Sequence, residues 1–483
     1  MSQSGIQQYD VSAVNSTQRR ELYKKREAVY PKLVHGKYRF IKWVLLFVTL
    51  GIYYGLPWVR WPRGPSEPDQ AVLVDFTGQR FYFFFIEIWP DELYFVTGLL
   101  VLSALLLFLV TAVFGRLWCG YACPQTVWTD LFIAVERLIE GDRNKRIALD
   151  KQKWGVSKIF KKTSKHTLWL LIAAATGGAW VLYFHDAPTV IGNLFTGQAP
   201  MSAYLFLGIL TFTTYTLAGI MREQVCTYMC PWPRIQAAMT DSETFSVGYY
   251  HARGEPRGKH KKGQSWEARG DCIDCKACVV ACPMGIDIRE GDQLECINCG
   301  LCIDACDDIM RKVNRPTGLI GYGSTYRSTV HSEKKRIFPK LFRSRTVFYS
   351  TVILIISAVM LFGLTNRATM EFTIERNRAP AFTVLSDGSI RNALTVRILN
   401  KVSEEVSFSL AFTGPDALVV DAVGYTPEDG ALALRIPGDQ LQNTRVFLTL
   451  PNSEVEGNQI KATLVNNRTG ETTEKLLSLI GKG

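Results

Sequence analysis

Twelve cysteines are the residues of this 483-residue chain best suited to chemistry, and they fall into four tight clusters with none left over: Cys119 with Cys123, Cys226 with Cys230, Cys272-275-278-282 and Cys296-299-302-306. The last two read C-x2-C-x2-C-x3-C, the first of them followed by Pro283. Three thiolates at such spacing wrap one face of an iron–sulfur cube, and the fourth lies too far along the chain to cap the same cube and ligates the other. This pairs Cys272, Cys275, Cys278 and Cys306 on one [4Fe-4S] cluster, and Cys282, Cys296, Cys299 and Cys302 on a second. Zinc knuckles and disulfides compete for such runs, but zinc sites space their ligand pairs more widely and do not use eight cysteines in two such runs. Asp307 stands where the second run would place its proline.

The other four cysteines form two copies of one signature, Arg116-Leu-Trp-Cys-Gly-Tyr-Ala-Cys-Pro124 and Arg222-Glu-Gln-Val-Cys-Thr-Tyr-Met-Cys-Pro231. At i and i+4 the two cysteines of a pair would share a helix face. If the halves pack together, Cys119, Cys123, Cys226 and Cys230 converge on a four-thiolate candidate site for a soft ion: Cu(I), zinc or an iron centre, with the Met229 thioether beside it. Four buried small apolar residues, since free cysteine packs well, and a dithiol–disulfide redox pair are the competing readings. No span carries a mid-helix histidine pair, which argues against a b-type haem. No glycine-rich nucleotide fingerprint follows a strand, so electrons must come from another protein or a small reductant.

The elements that hold these groups are mostly membrane helices. Five apolar runs are long enough to span a bilayer: about Phe40–Leu56, Leu93–Phe114, Thr167–Phe184, Ala203–Met221 and Val347–Leu364. The first 37 residues are polar and basic, unlike a cleavable signal peptide. The chain is 47% hydrophobic with a net charge of +11. Lys and Arg number nine in the N-terminal tail through Lys42, then three, eleven, none and twenty in the successive loops, and twelve over the long C-terminal segment. That alternation places the N-terminus, the second loop and the cysteine-rich loop in the cytoplasm, and the C-terminal domain in the periplasm. The charge therefore reads as topology and not as a nucleic-acid surface. All twelve cysteines fall on the reducing side, and the outer third of the chain has none.

The expected organisation is a basic tail (1–37), a four-helix membrane repeat (38–248), a basic linker (249–266), a ferredoxin-like module (267–316), a second linker (317–345), a fifth span (346–365) and a periplasmic domain (366–483). The two hairpins ending in the same signature make a parallel repeat. Gln125–Glu140 reads as an amphipathic helix on the membrane surface, Val127, Leu131, Val135 and Leu138 against Asp130, Glu136 and Arg137. Around the cubes, Ile273, Ala277, Val279, Ile297, Leu301 and Ile303 would exclude water, and Gly300 would let the backbone approach sulfur. Beyond Asn366, short alternating runs from Glu371–Glu375 to Glu474–Ile480, broken at Asp387-Gly388, Gly414-Pro415 and Pro437-Gly438, predict an immunoglobulin-like β-sandwich. The fold class is a polytopic α-helical membrane protein with a ferredoxin-like α+β insert and an all-β C-terminal domain.

In this order, the parts resemble the CcoG family, also called FixG or RdxA, accessory proteins for assembly of cbb(3)-type cytochrome oxidase. The resemblance runs from about Tyr30 to the end. It implies two [4Fe-4S] clusters on the eight later cysteines, the family's C-x3-C-P positions at Cys119, Cys123, Cys226 and Cys230, and reduction of Cu(II) to Cu(I) in the inner (cytoplasmic) membrane. The expected partners are membrane lipid, oxidase assembly factors or copper chaperones docked by the outer domain, and a cytoplasmic electron donor. A quinol-linked respiratory subunit and a copper or redox sensor and scaffold are the alternatives.

Overall fold

The computed structural model describes residues 7–15, 27–64, 67–259, 265–267, 269–324, 341–377, 380–402, 404–426, 430–455 and 458–481. It divides into two compact units, one of Met1–Pro62 with Pro68–Met360 and one of Arg63–Glu67 with Leu361–Gly483.

In the first unit the helices are α1 (Lys37–Gly55), α2 (Leu93–Phe114), α3 (Leu117–Tyr121), α4 (Pro124–Glu140), α5 (Arg143–Lys151), α6 (Val156–Val181), α7 (Ala187–Thr196), α8 (Met201–Thr214), α9 (Trp232–Met239), α10 (His251–Gly254), α11 (Ala277–Ala281), α12 (Leu301–Lys312) and α13 (Ser344–Thr365). Among the described residues, four helices are long and apolar enough to cross a membrane: Lys37–Trp58, Pro90–Phe114, Met201–Met221 and Ser344–Thr365. These answer to four of the five expected spans. The remaining one, Thr167–Phe184, falls in α6, which ends at Val181 and opens with Lys158, Lys161, Lys162 and Lys165, so its apolar stretch is diluted. Lys42, at the start of the first span, faces protein: it is buried and lies 3.7 Å from Asp130. The threonines of α8 bond to their own helix, Thr211 Oγ1 to the Leu207 carbonyl at 2.6 Å, which makes them compatible with an apolar span.

After Thr214 the helix widens into a π-helical stretch, Tyr215–Met221, and a second π turn covers Val225–Met229. Such insertions cluster at functional sites. Gly177 brings α6 against α8, since a Cβ there would stand 2.9 Å from the Leu207 carbonyl oxygen.

Helix α4 occupies the expected residues but turns its acids inward. Asp130, Glu136 and Glu140 are buried while Leu138 is 82% exposed. Arg39 reaches Asp130 at 2.9 Å, Arg222 reaches Glu136 at 2.9 Å, Arg146 also bonds Glu136, and Lys165 reaches Glu140 at 2.9 Å. A buried carboxylate needs such partners, and they come from α1, α5, α6 and the residue after the π stretch. The acids of this helix thus face protein, where they tie four segments together, while Leu138 stays outside.

A three-stranded sheet, β1 (Val72–Asp75), β2 (Arg80–Phe83) and β3 (Ile86–Ile88), fills the first loop. Val74 N–H donates to the Tyr183 carbonyl and Gln70 Nε2 to the Leu182 carbonyl, tying this loop to the end of α6. Strands β4 (Phe245–Tyr249) and β5 (Ile320–Ser324) pair across the base of the ferredoxin-like module, so its frame extends past both expected boundaries, 267 and 316.

The second unit holds β6 (Met370–Arg376), β7 (Thr383–Val384), β8 (Ile390–Asn400), β9 (Val406–Thr413), β10 (Val419–Ala422), β11 (Ala431–Ile436), β12 (Leu441–Leu450), β13 (Gln459–Asn466) and β14 (Thr472–Ser478). One antiparallel sheet runs β10-β12-β8-β6 with β7 beside β8, the other β11-β9-β13-β14. Leu394, Val396 and Ile398 of one and Phe408, Leu434 and Leu464 of the other belong to a single apolar core. Alternation along each strand sends every second side chain there.

Candidate metal centre: three nests of four thiols

The two long cysteine runs wind in the same way. Asp274 and Lys276 lie two and four residues after Cys272, and Asn298 and Gly300 two and four after Cys296. All four hold positive φ, at 51, 57, 53 and 72°. These left-handed residues curl the chain so that the thiols of one run face inward, before α11 and α12 carry the remaining cysteines. Lys276 shows that this position does not itself demand glycine. Gly300 is required for a neighbour: a Cβ there would meet the Tyr38 ring at 2.8 Å. The close approach that the structure shows at Gly300 is to Tyr38.

Cys306 acts electrostatically on Cys275 and Cys272, and Cys278 on Cys306 and Cys275. These four form the first nest, within an apolar core that includes Ile273, Ala277, Val279 and Ile303. The second nest, Cys282, Cys296, Cys299 and Cys302, lines one cavity, and Cys278 of the first nest reaches its wall. Met284, Ile286, Ile297 and Leu301 enclose it. Burial, followed by neighbouring thiols such as Cys299, pushes Cys282 up to about 11 and Cys296 up to about 12. Bare thiols there stay protonated at neutral pH; a bound metal supplies the charge that makes them thiolates. Eight thiols in two nests, enclosed by apolar side chains, fit the two iron–sulfur clusters. Asp307, in place of a proline, accepts the Gly318 N–H at 2.7 Å and fastens the chain leaving α12.

The third nest gathers Cys119, Cys123, Cys226 and Cys230: Cys119 acts on Cys123 and Cys230, and Cys226 on all three others. Neither pair shares one helix face, as i and i+4 spacing had suggested. Cys119 lies on α3 and Cys226 on the π turn, whereas Cys123 (φ −61°, ψ 128°) and Cys230 (φ −78°, ψ 122°) are extended. Each precedes a proline, which drives the preceding residue out of the helical region. The extended residue turns the second thiol back toward the first. Bonds across the halves lock the arrangement: the Cys119 thiol donates to Gln236 Oε1 at 3.3 Å, Arg116 to the Pro233 carbonyl at 2.8 Å, and Gln125 to the Arg222 carbonyl at 3.2 Å. Burial first, then Cys123, pushes Cys119 up to about 12.

This nest is docked on the second. Cys119 and Cys226 pack in the same apolar cluster as Cys282, Cys296 and Cys299. Tyr121 O–H donates to the Cys299 carbonyl at 2.9 Å, and Arg116 bonds the Leu294 carbonyl and reaches that of Cys296 at 3.4 Å. On the far side, Cys230 and Met229 are exposed. Among the described residues, no three His, Cys, Asp or Glu side chains stand close enough to hold a single metal ion.

Residues 221–325 match the family model of a 4Fe-4S dicluster domain, 96–144 that of a 4Fe-4S binding domain, and 360–481 that of the IG-like fold at the C-terminal of FixG. The nitrogen fixation protein FixG of Rhizobium meliloti is 47% identical over 92% of this chain and 90% of its own. Protein RdxB of Cereibacter sphaeroides is 48% identical over 97% and 99%, and RdxA of the same organism 49% identical over 89% and 91%. The chain belongs to the FixG family. As a FixG-family member it is a membrane-associated iron–sulfur protein of electron transfer with an immunoglobulin-like C-terminal domain.

Sequence reasoning named every cysteine of the three nests but missed their frame. Arg116 and Tyr121, which dock one nest on the next, lay in plain view inside the first signature. The N-terminal segment gave less signal. There Tyr9 N–H bonds the Cys275 carbonyl at 3.3 Å, Lys276 Nζ the Val11 carbonyl at 2.8 Å, and Asn15 the Met284 carbonyl at 2.7 Å, covering the first run of cysteines.

Proposed function

We propose that this protein reduces Cu(II) to Cu(I) at the inner membrane during assembly of cbb(3)-type cytochrome oxidase. Cys272, Cys275, Cys278 and Cys306 hold one [4Fe-4S] cluster and Cys282, Cys296, Cys299 and Cys302 the other; when bound, these clusters supply one-electron transfer. The observation that carries the reading is contiguity. Cys278 reaches the second nest, Cys299 and Ile297 touch the third, and the third ends in exposed Cys230 and Met229. The chain's own part is to bury the thiols, exclude water from them, and present a thiolate and thioether edge. That edge favours Cu(I), so a Cu(II) substrate arriving there gains one electron and is retained as Cu(I).

The distribution of Lys and Arg supports a cytoplasmic N-terminus and cysteine module with a periplasmic C-terminal domain, whose β-sandwich docks an assembly partner or a copper chaperone. The test is anaerobic purification, reduction by dithionite, removal of excess reductant and stopped-flow mixing with Cu(II). Reoxidation of the clusters with formation of Cu(I) is expected; clusters that stay reduced would reject the reading.

A further inference from the structure

We propose that the elbow between α5 and α6, residues 151–161, is a binding site for anionic phospholipid of the cytoplasmic leaflet. The inference does not rest on copper chemistry. It rests on what this elbow exposes, on its charge and on the length of the helix it opens.

The first ground is exposed apolar surface. Trp154, Val156, Ile159 and Phe160 are 74, 87, 51 and 71% exposed, four large side chains within seven residues. A contiguous patch of this kind marks a contact surface, since single exposed apolar residues are ordinary but clusters are not. The turn that presents it is fastened from below. Lys158 is buried, donates to the Asp150 and Gln152 carbonyls at 2.9 and 2.6 Å, and sets its ammonium 5.0 Å from the centre of the Trp154 ring.

The second ground is charge. From Arg143 to Lys165 the sequence carries nine Lys and Arg against one acid, Asp150. Four of the nine are drawn inside: Arg146 to Glu136, Lys165 to Glu140, Lys162 to Glu140 and Asp150, and Lys158 to the turn. Arg143, Lys145, Lys151, Lys153 and Lys161 stand outside this network, and Lys145, Lys151 and Lys153 are exposed. An apolar patch ringed by unspent cations fits a lipid whose headgroup is an anion.

The third ground is depth. Helix α6 has 26 residues. That is about 39 Å at 1.5 Å per residue, against about 30 Å of hydrocarbon in a bilayer. Its far end meets the first-loop sheet, where Val74 N–H bonds the Tyr183 carbonyl. With that end at the outer boundary, the first turns of α6 fall among the headgroups of the inner leaflet. Its exposed face is also continuous, Val156, Ile159 and Phe160 running on into Leu168, Leu170 and Leu171. A protein partner could cover the apolar patch, but this continuity with the side of a membrane helix favours lipid.

The experiment is native mass spectrometry of the full-length protein in detergent, titrated with palmitoyl-oleoyl phosphatidylglycerol or with the matching phosphatidylcholine. Tighter binding of phosphatidylglycerol is expected. Each basic residue near an anionic surface is worth about fivefold, so the triple variant Lys151→Gln, Lys153→Gln, Lys161→Gln should lose about a hundredfold in phosphatidylglycerol affinity. Its phosphatidylcholine binding should not change. Equal binding of the two lipids by the wild type, or a preference that survives in the triple variant, overturns the proposal. Should that variant aggregate, a photocrosslinking amino acid at position 154, irradiated in intact membranes, decides instead. Adducts to phospholipid support the site, and adducts to another protein overturn it.

Discussion

Gly120 and Ile297 meet so closely that a Cβ on the glycine would stand 2.5 Å from the Ile297 carbonyl oxygen and 3.1 Å from the Cys299 backbone. Cys119 directly precedes Gly120 on one side of this contact, and the loop of the second nest forms the other. Gly120→Ala should therefore wedge the two nests apart. Overpacking of this kind costs roughly 1–3 kcal/mol. Thermal unfolding in detergent should fall, and Cu(II) reduction should slow, while the iron of the ferredoxin runs is retained. Gly155→Ala, where nothing lies within 4 Å, is the control. Equal behaviour of the two variants would show that the contact is incidental.

Cross-ligation gives a second prediction. Cys306 lies in the second run but belongs to the nest of Cys272 and Cys275, and Cys282 lies in the first run but lines the nest of Cys296, Cys299 and Cys302. Cys306→Ser and Cys282→Ser should each remove about four iron and extinguish different resonance signals. If Cys282→Ser and Cys278→Ser removed the same signal, each run would be holding its own cluster.

Glu136 links stability to pH. Burial alone would raise its carboxyl, but Arg222, Arg146 and Lys165 overcome that and hold it below the usual carboxylate range. A depressed folded value means stabilisation that is present above the unfolded value, about 4.3, and lost as pH falls through the folded one. Melting temperature should thus decline on acidification below about pH 5, and Glu136→Gln should flatten this dependence. That variant also leaves three cations facing a neutral amide, a loss of roughly 3–5 kcal/mol at neutral pH. A melting curve indifferent to the substitution would mean that solvent screens the cluster.

The C-terminal unit should behave independently of the metal. Leu434, fully buried between the two sheets, anchors its core. Leu434→Ala should cost roughly 2–5 kcal/mol of that unit's stability, read by hydrogen exchange, and leave iron content unchanged. Iron loss in this variant would contradict the division into two units.

What was legible in the sequence follows from how local each cause is. The runs of cysteine declare themselves by spacing, and apolar runs of span length declare four of the helices. Non-local causes left no such mark. Lys42 looked like a flaw in the first span because its partner, Asp130, is 88 positions away. Helix α4 read as amphipathic with its charges outward because the cations that draw Asp130, Glu136 and Glu140 inside belong to four other segments. The helix-face argument for the cysteine pairs failed for a local reason that was available: Pro124 and Pro231 forbid the preceding residue a helical conformation. The β1–β3 sheet was missed although Thr77-Gly78 sits between alternating runs, because attention to spans treats the loops between them as connections.

Asp304 lies between two cysteines of the second run, Cys302 and Cys306, yet its carboxylate accepts the N–H groups of Tyr38 at 3.2 Å and Arg39 at 2.7 Å, the first turn of the first membrane helix. That helix has no cap from its own preceding residue, Gly36. Its start is therefore completed only by a residue translated some 265 positions later, on a helix that supplies iron ligands. The first membrane helix and the helix that carries Cys302 and Cys306 are thus joined at one carboxylate, so displacing either should unsettle the other.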